Sequence, residues 1–377
     1  MTSRQRLLAA MQREPTDRLP IHIRGVRILD DGWVRSRDAS YEPLIEAVQQ
    51  HGDVFATWNP GLRPFLNGAA EAGLRSTTRP SPHPDFETVE TVLETPRGPL
   101  TREHQNNLRG HPGLTTRFYI ETEEDVARFR SVPYVPLELD TASYWERAEQ
   151  IGERGLLLAA LGSNPIAQVH SLLGSERLAT WSVTKRDVVD ELVGLMAERF
   201  THVVRELLAA GIGPAFSTAG HEYCIPPLQS PRDFHQWCVL AEKRVVEMIH
   251  EHGGALHVHC HGGMRPVLAM FAELGADCLH PMEGPPMGDI TLAEAKVLID
   301  GRICLEGNMQ IGDLYTLSAD EVAEKTRSII DEGAPGGGYI FGVCASPYTP
   351  TLEQRVVANY VTMIETAAEH GAPVASS

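Results

Sequence analysis

From residue 155 onward the chain alternates short apolar runs with amphipathic stretches of helical period, and this alternation restricts the fold more than any other feature. The runs "GLLLAALG" (155–162), "GPAFSTAG" (213–220), "ALHVHCH" (255–261), "CLHPME" (278–283), "RICLEGNM" (302–309) and "GGYIFGVC" (337–344) read as strands. Each is followed by a helical pattern, the first of them (186–211) after an intervening loop. Strands separated by helices imply a parallel sheet with helical crossovers. Three helix starts carry capping-box pairs, Thr291 with Glu294, Ser318 with Glu321 and Thr351 with Gln354. Helices stopping at glycine, as in "EHGG" and "ELGAD", fit left-handed caps. Two earlier runs, "IHIRG" (21–25) and "VFATW" (54–58), bring the strands to eight. The expectation is an α/β chain forming a TIM (β/α)8 barrel as a single domain over residues 1–377, with an N-terminal arm. The segment 84–135 breaks the pattern, and "ETVLETPRGPLTREH" reads as an inserted β-hairpin turning at "PRGP". Arm and hairpin are the segments free to wall a pocket. Beyond the small-residue tail 371–377 there is no low-complexity tract.

Composition narrows the class of partner. A net charge of -17 argues against nucleic acid or an anionic membrane surface, both of which need a basic face. The first twenty residues lack the apolar core of a signal peptide, and no run approaches the roughly 18 apolar residues of a membrane span. Cys224, Cys238, Cys260, Cys278, Cys304 and Cys344 show no CxxC spacing and no disulfide-scaffold density. A cytoplasmic chain with reduced thiols, acting on a small molecule, is the expectation.

In barrels of this kind the chemistry sits at the C-terminal ends of the strands, so polar residues there are the candidates. His259 and His261 close the third of the runs, after His257, at every second position. An HxH pair at a strand end offers two imidazoles to one side of a metal. The same pair could be buried, hydrogen-bonded histidines lining a polar pocket. His257, deeper in the strand, is expected to be structural. Cys344 ends the last strand, where it is either a small core thiol or a sulfur ligand suited to zinc. His221 and Glu222 follow "AFSTAG"; Glu222 reads as a fourth ligand, a general base or a solvated carboxylate. His280 and Glu283 read as substrate contacts or as outer partners of metal-bound histidines, and Asn308 as a ligand-binding amide or a turn residue.

These residues lie in a longer familiar pattern. "ALHVHCHGGMRPVLAMFAELGADCLHPMEG", then "RICLEGNMQIGDLY", then "YIFGVCASPYTPTLEQRVV" resemble the uroporphyrinogen decarboxylase superfamily, as do the opening "SRQRLLAAMQREPTDRLPI" and "LGSNPIAQVHSLLG". The resemblance covers nearly the whole chain and implies a TIM barrel and a dimer. The decarboxylases of the superfamily are metal-free and grip their substrate with an RQAGR motif. Here "HIRGVRILDD" has Arg24 and Arg27 at a different spacing and lacks the glutamine. The other branch, the corrinoid-linked methyltransferases, binds zinc through an HxC pair and a later cysteine. That resemblance implies Zn2+ on His259, His261 and Cys344, with His261 standing where the branch has cysteine. It also implies a corrinoid (cobalamin) carried by a separate partner protein, because the chain has no recognisable corrinoid-binding segment.

Replacing a thiolate by imidazole leaves zinc more electrophilic and suits it to an ether oxygen or other methyl-bearing heteroatom. The expected activity is therefore demethylation of an O- or N-methylated small molecule, a methoxylated compound foremost. Glu222 or His221 would protonate the leaving group, and His280, Glu283 and Asn308 would contact the substrate. The alternatives are a metal-free decarboxylase-like enzyme and a metal-dependent hydrolase. Amidohydrolase barrels place their HxH on the first strand, whereas this pair comes two-thirds along the chain.

Overall fold

The structure is a computed structural model describing residues 1–371; the small-residue tail beyond Gly371 lies outside the described residues. Eight strands form one parallel sheet: β1 (Ile21–His22), β2 (Phe55–Trp58), β7 (Leu156–Ser163), β8 (Ala215–Ala219), β9 (Ala255–His259), β10 (Cys278–His280), β11 (Cys304–Met309) and β12 (Tyr339–Val343). Their spatial order, β1-β12-β11-β10-β9-β8-β7-β2, leaves β1 and β2 as the two ends, and the sheet curls into the expected TIM barrel. Asp53 ties those ends together. Its backbone N–H donates to the Ile21 carbonyl (2.6 Å), and the Ile21 N–H donates to its carboxylate (3.1 Å). Arg6 and Arg18 neutralise this buried acid at 2.6 and 2.9 Å.

Arg6 belongs to the helix Ser3–Met11, whose Leu7, Ala10 and Met11 pack on Leu156, Leu158, Ala215, Ala255, Cys278, Cys304 and Ile340. These strand residues are the barrel's lower layer, so the arm plugs the end opposite the strands' C-termini. It does not wall the principal cavity. Nor does the insertion, which is larger than a hairpin: β3 (Leu74–Pro80), β4 (Phe86–Leu93), β5 (Leu100–Asn107) and β6 (Leu114–Arg117) form an antiparallel sheet. The β4–β5 hairpin turns where "PRGP" predicts. Leu93 and Leu100 root it in the core, while β3 and β6 are largely exposed.

Two further local expectations change. The stretch after β7, read as a loop, is helical over Pro165–Thr184 because Asn164 caps it and proline occupies the first turn. The Thr291 and Ser318 capping boxes form, but the last helix, Gln354–His370, starts from Glu353 with no side-chain cap, so Thr351 caps nothing. Gly275 does end its helix in the left-handed region. All six cysteines are free and buried. Among the described residues no helix is long and apolar enough to cross a membrane.

Candidate active site

The principal cavity, of about 620 Å³, opens at the strands' C-terminal ends and is lined among others by His22, Arg24, Arg147, Ser217, His257 and His259. Alternation along β9 turns His257 and His259 to the same side, with His257 lower. His261 lies beyond the strand end, and its side chain is 42% exposed. Its ring stands perpendicular to that of His259 with centroids 4.7 Å apart. Gly262, at φ +101, bends the chain there, and its N–H donates to Glu283 (2.9 Å), whose other oxygen faces His261 Nδ1 at 3.3 Å. Burial alone would raise the Glu283 pKa, but His261 and the Gly262 N–H outweigh it and hold the carboxylate below its ordinary range.

A chain of tautomers fixes His259. The register places His280 beside it on β10, with the rings stacked at 5.1 Å and the two Nδ1 atoms 3.0 Å apart. His280 Nε2 faces the Val343 carbonyl at 3.2 Å and must donate to it. Burial pushes His280 down to about 3, helped by Arg24 and His257 and opposed by Glu306, so the ring is neutral and its Nδ1 accepts. His259 Nδ1 must then carry the hydrogen. Burial and the neighbouring Arg24, His280, His261 and His257 lower His259 as well, so its Nε2 is a bare lone pair. That is the form in which imidazole binds a metal, with its other nitrogen engaged by an outer partner.

Cys344 follows β12, and its N–H donates to the Met309 carbonyl (2.9 Å). Burial, and then Glu283 and Glu306, hold its thiol far above the ordinary value. Glu222 has a buried carboxylate oxygen with no hydrogen-bond partner, and its charge helps raise buried Cys260, between the two mouth histidines. An imidazole lone pair, a thiol and a carboxylate oxygen are donor types that a divalent cation takes. His259, His261 and Cys344 do not themselves form a group with all ligand atoms within 4.8 Å. Among the described residues the group that meets this closeness is His257, Cys278 and Glu306. In that trio Glu306 is already engaged, with His22 Nδ1 at 2.6 Å and His257 Nε2 at 2.7 Å.

The other expected residues are dispersed. His221 is wholly buried, 3.2 Å from Glu242 and packed near Phe234 and Phe271, and does not line the cavity. Asn308 donates to the Met282 carbonyl (2.8 Å), bracing the loop after β10, and His280 lies behind His259. Neither of these, nor His261, Cys344, Glu222 or Glu283, lines the cavity, so of the expected metal ligands His259 alone does. Sequence reasoning passed over His22. Its signal was the alternation in "IHIR", which sets His22 and Arg24 on the face opposite Ile21 and Ile23.

The family model described as Uroporphyrinogen decarboxylase (URO-D) matches residues 117–366, beginning where the inserted sheet ends. A curated uroporphyrinogen decarboxylase from Thioalkalivibrio sulfidiphilus (strain HL-EbGR7) is 24% identical over 383 residues, covering 96% of this chain and 97% of its own. Among solved structures, a methyltransferase from Methanosarcina mazei aligns with a TM-score of 0.59 at 15% identity, over 97% of this chain and 98% of that one, which is a likeness of fold.

Proposed function

The chain belongs to the uroporphyrinogen decarboxylase family, and from that premise we propose that it is a zinc-dependent methyltransferase. It takes a methyl group from an O- or N-methylated small molecule, a methoxylated compound foremost, and passes it to a corrinoid protein. The observation that carries this reading is the tautomer chain from Val343 through His280, which leaves His259 Nε2 as an open donor at the cavity wall. Zinc would be held by His259, His261 and Cys344. When bound there it supplies a Lewis acid that draws charge off the methyl-bearing heteroatom.

The chain's own residues do the rest. His280 keeps His259 in the ligating tautomer, and Glu283 orients His261 and the Gly262 turn. Arg24 projects a partly buried cation into the cavity, where burial lowers its pKa and Glu306 opposes the shift. With Arg27 and Arg147 on the same lining, it suits a substrate bearing a carboxylate. That lining also favours a second reading, metal-free decarboxylation of an acidic substrate, in which the arginines grip the acid groups.

One experiment separates the two. Purified chain with reduced cobalamin and a panel of methoxylated benzoates should accumulate methylcobalamin, and Cys344→Ala should abolish it. Release of carbon dioxide from an acidic substrate, with no methylcobalamin and no dependence on Cys344, would establish the decarboxylase reading instead.

A further inference from the structure

Glu306 lies at the floor of the cavity between two imidazoles, with His22 Nδ1 on one oxygen at 2.6 Å and His257 Nε2 on the other at 2.7 Å. The carboxylate is 1% exposed. Burial opposes its ionisation, yet His280 and His22, and the hydrogen bonds from His22 and His257, keep it well below the ordinary range. An ionised carboxylate only accepts, so the nitrogen facing it on each ring carries the hydrogen. The opposite nitrogen of each ring points away from Glu306, and both rings line the cavity. Phe55 stands edge-on to both, with centroids at 4.9 and 5.2 Å, and fixes the ring planes by packing. This is the polarity of a histidine–carboxylate dyad, in which the carboxylate orients the ring and the far nitrogen exchanges protons.

We propose that His22, positioned by Glu306, is the proton-transfer residue of this cavity, acting through Nε2 on the heteroatom that carries the methyl group. The identity of the heteroatom rests on the methyl-transfer reading; the dyad itself does not. His22 is chosen over His257 because it sits on β1, apart from the strand that carries His259. In the step, the bond between methyl carbon and heteroatom breaks and its electron pair stays on the heteroatom. The methyl group leaves to a cobalt(I) corrinoid, the acceptor nucleophile on the partner protein. The Nε2 proton of imidazolium His22 moves to the heteroatom, and solvent entering the cavity restores it. Glu306 is a positioning residue whose charge offsets that of the imidazolium. The other groups facing the pair are Arg24 after β1, His257 on β9, Cys278 and His280 on β10, and Tyr339 and Cys344 from β12 and its end. Of these Arg24 is the fixed cation.

Two readouts on the full chain test the dyad. Nitrogen-15 NMR of labelled histidines, with His22 identified from a His22→Gln spectrum, should show hydrogen on Nδ1. The low-field N–H signal should vanish in Glu306→Gln while the circular dichroism stays native. Hydrogen on Nε2 with bare Nδ1 would overturn the dyad. The second readout is methyl transfer to cob(I)alamin from methyl ethers of graded leaving-group acidity, with His22→Asn as a second variant. Loss of the acid should slow poor leaving groups by about a hundredfold and spare acidic phenols. Equal slowing across the series would mark a structural role and overturn the proposal. A wild type that transfers no methyl group yet shows the Nδ1–H tautomer would overturn the methyl-transfer reading and leave the proton site standing.

Discussion

His259 owes its open lone pair to His280 on the next strand and to the Val343 carbonyl three strands away, and this shows what a single sequence discloses at the scale of residues. The HxHxH spacing was legible because period two is a local property of a strand. The tautomer was not, because it depends on His280 and the Val343 carbonyl, which are brought together only by barrel closure. His221 was misplaced for a related reason. It follows a strand end, but Gly220, in the left-handed region at φ +108, turns the chain so that the ring enters the core beside Glu242. Glu306 stood at a strand end in plain view, yet its role needs His22 from the other end of the chain. Glycine is also decisive at Gly342, where a Cβ would collide with the His22 backbone carbonyl across the β1–β12 pairing. Gly342→Ala should therefore destabilise the fold by about 1–3 kcal/mol through overpacking. Urea unfolding followed by circular dichroism checks this, and a change below a few tenths of a kcal/mol would show that β1 yields freely.

Elements were legible where local chemistry and tertiary structure agree. Seven of the eight barrel strands fall within the runs read from sequence and β7 exceeds its run by one residue, Ser163, while two of three capping boxes form. Thr291→Ala and Ser318→Ala should each cost about 1 kcal/mol in denaturant unfolding, whereas Thr351→Ala should be nearly neutral. Equal losses in all three would contradict the cap geometry. The inserted sheet was legible only at its β4–β5 hairpin, since "LRSTTRP" of β3 lacks the alternation that announces a half-buried strand.

A pH effect belongs to the start of β9. Asp277 accepts the Leu256 N–H (2.7 Å) and pairs with His250 Nε2 (2.9 Å), and that hydrogen bond raises His250 above its ordinary value despite partial burial. A raised histidine stabilises fully below its unfolded value of about 6.5 and loses that contribution as pH rises through the folded value. His250→Ala should thus lower the urea midpoint at about pH 5.5 and change it little at about pH 9. The same loss at both pH values would show that His250 acts by packing alone.

At the scale of the molecule, barrel and insertion divide the work. The barrel sets eight strand ends around one cavity, the N-terminal helix seals the far end, and the family match excludes the four-stranded sheet but for its last residue. Against a net charge of -17, the cavity lining sets Arg24, Arg27 and Arg147 against one acid, Asp30, the local cationic excess that the proposed acidic substrate would need. The proposed methyl transfer requires a metal at the mouth and none at the floor. The measurement that tests it is elemental analysis of the full chain, purified without chelators, beside His259→Ala, Cys344→Ala and Cys278→Ala. The expected result is about one zinc per chain, lost with His259 or Cys344 and kept with Cys278→Ala. Protein that neither contains zinc nor takes it up on addition, or zinc that leaves with Cys278 and not with Cys344, would contradict the account.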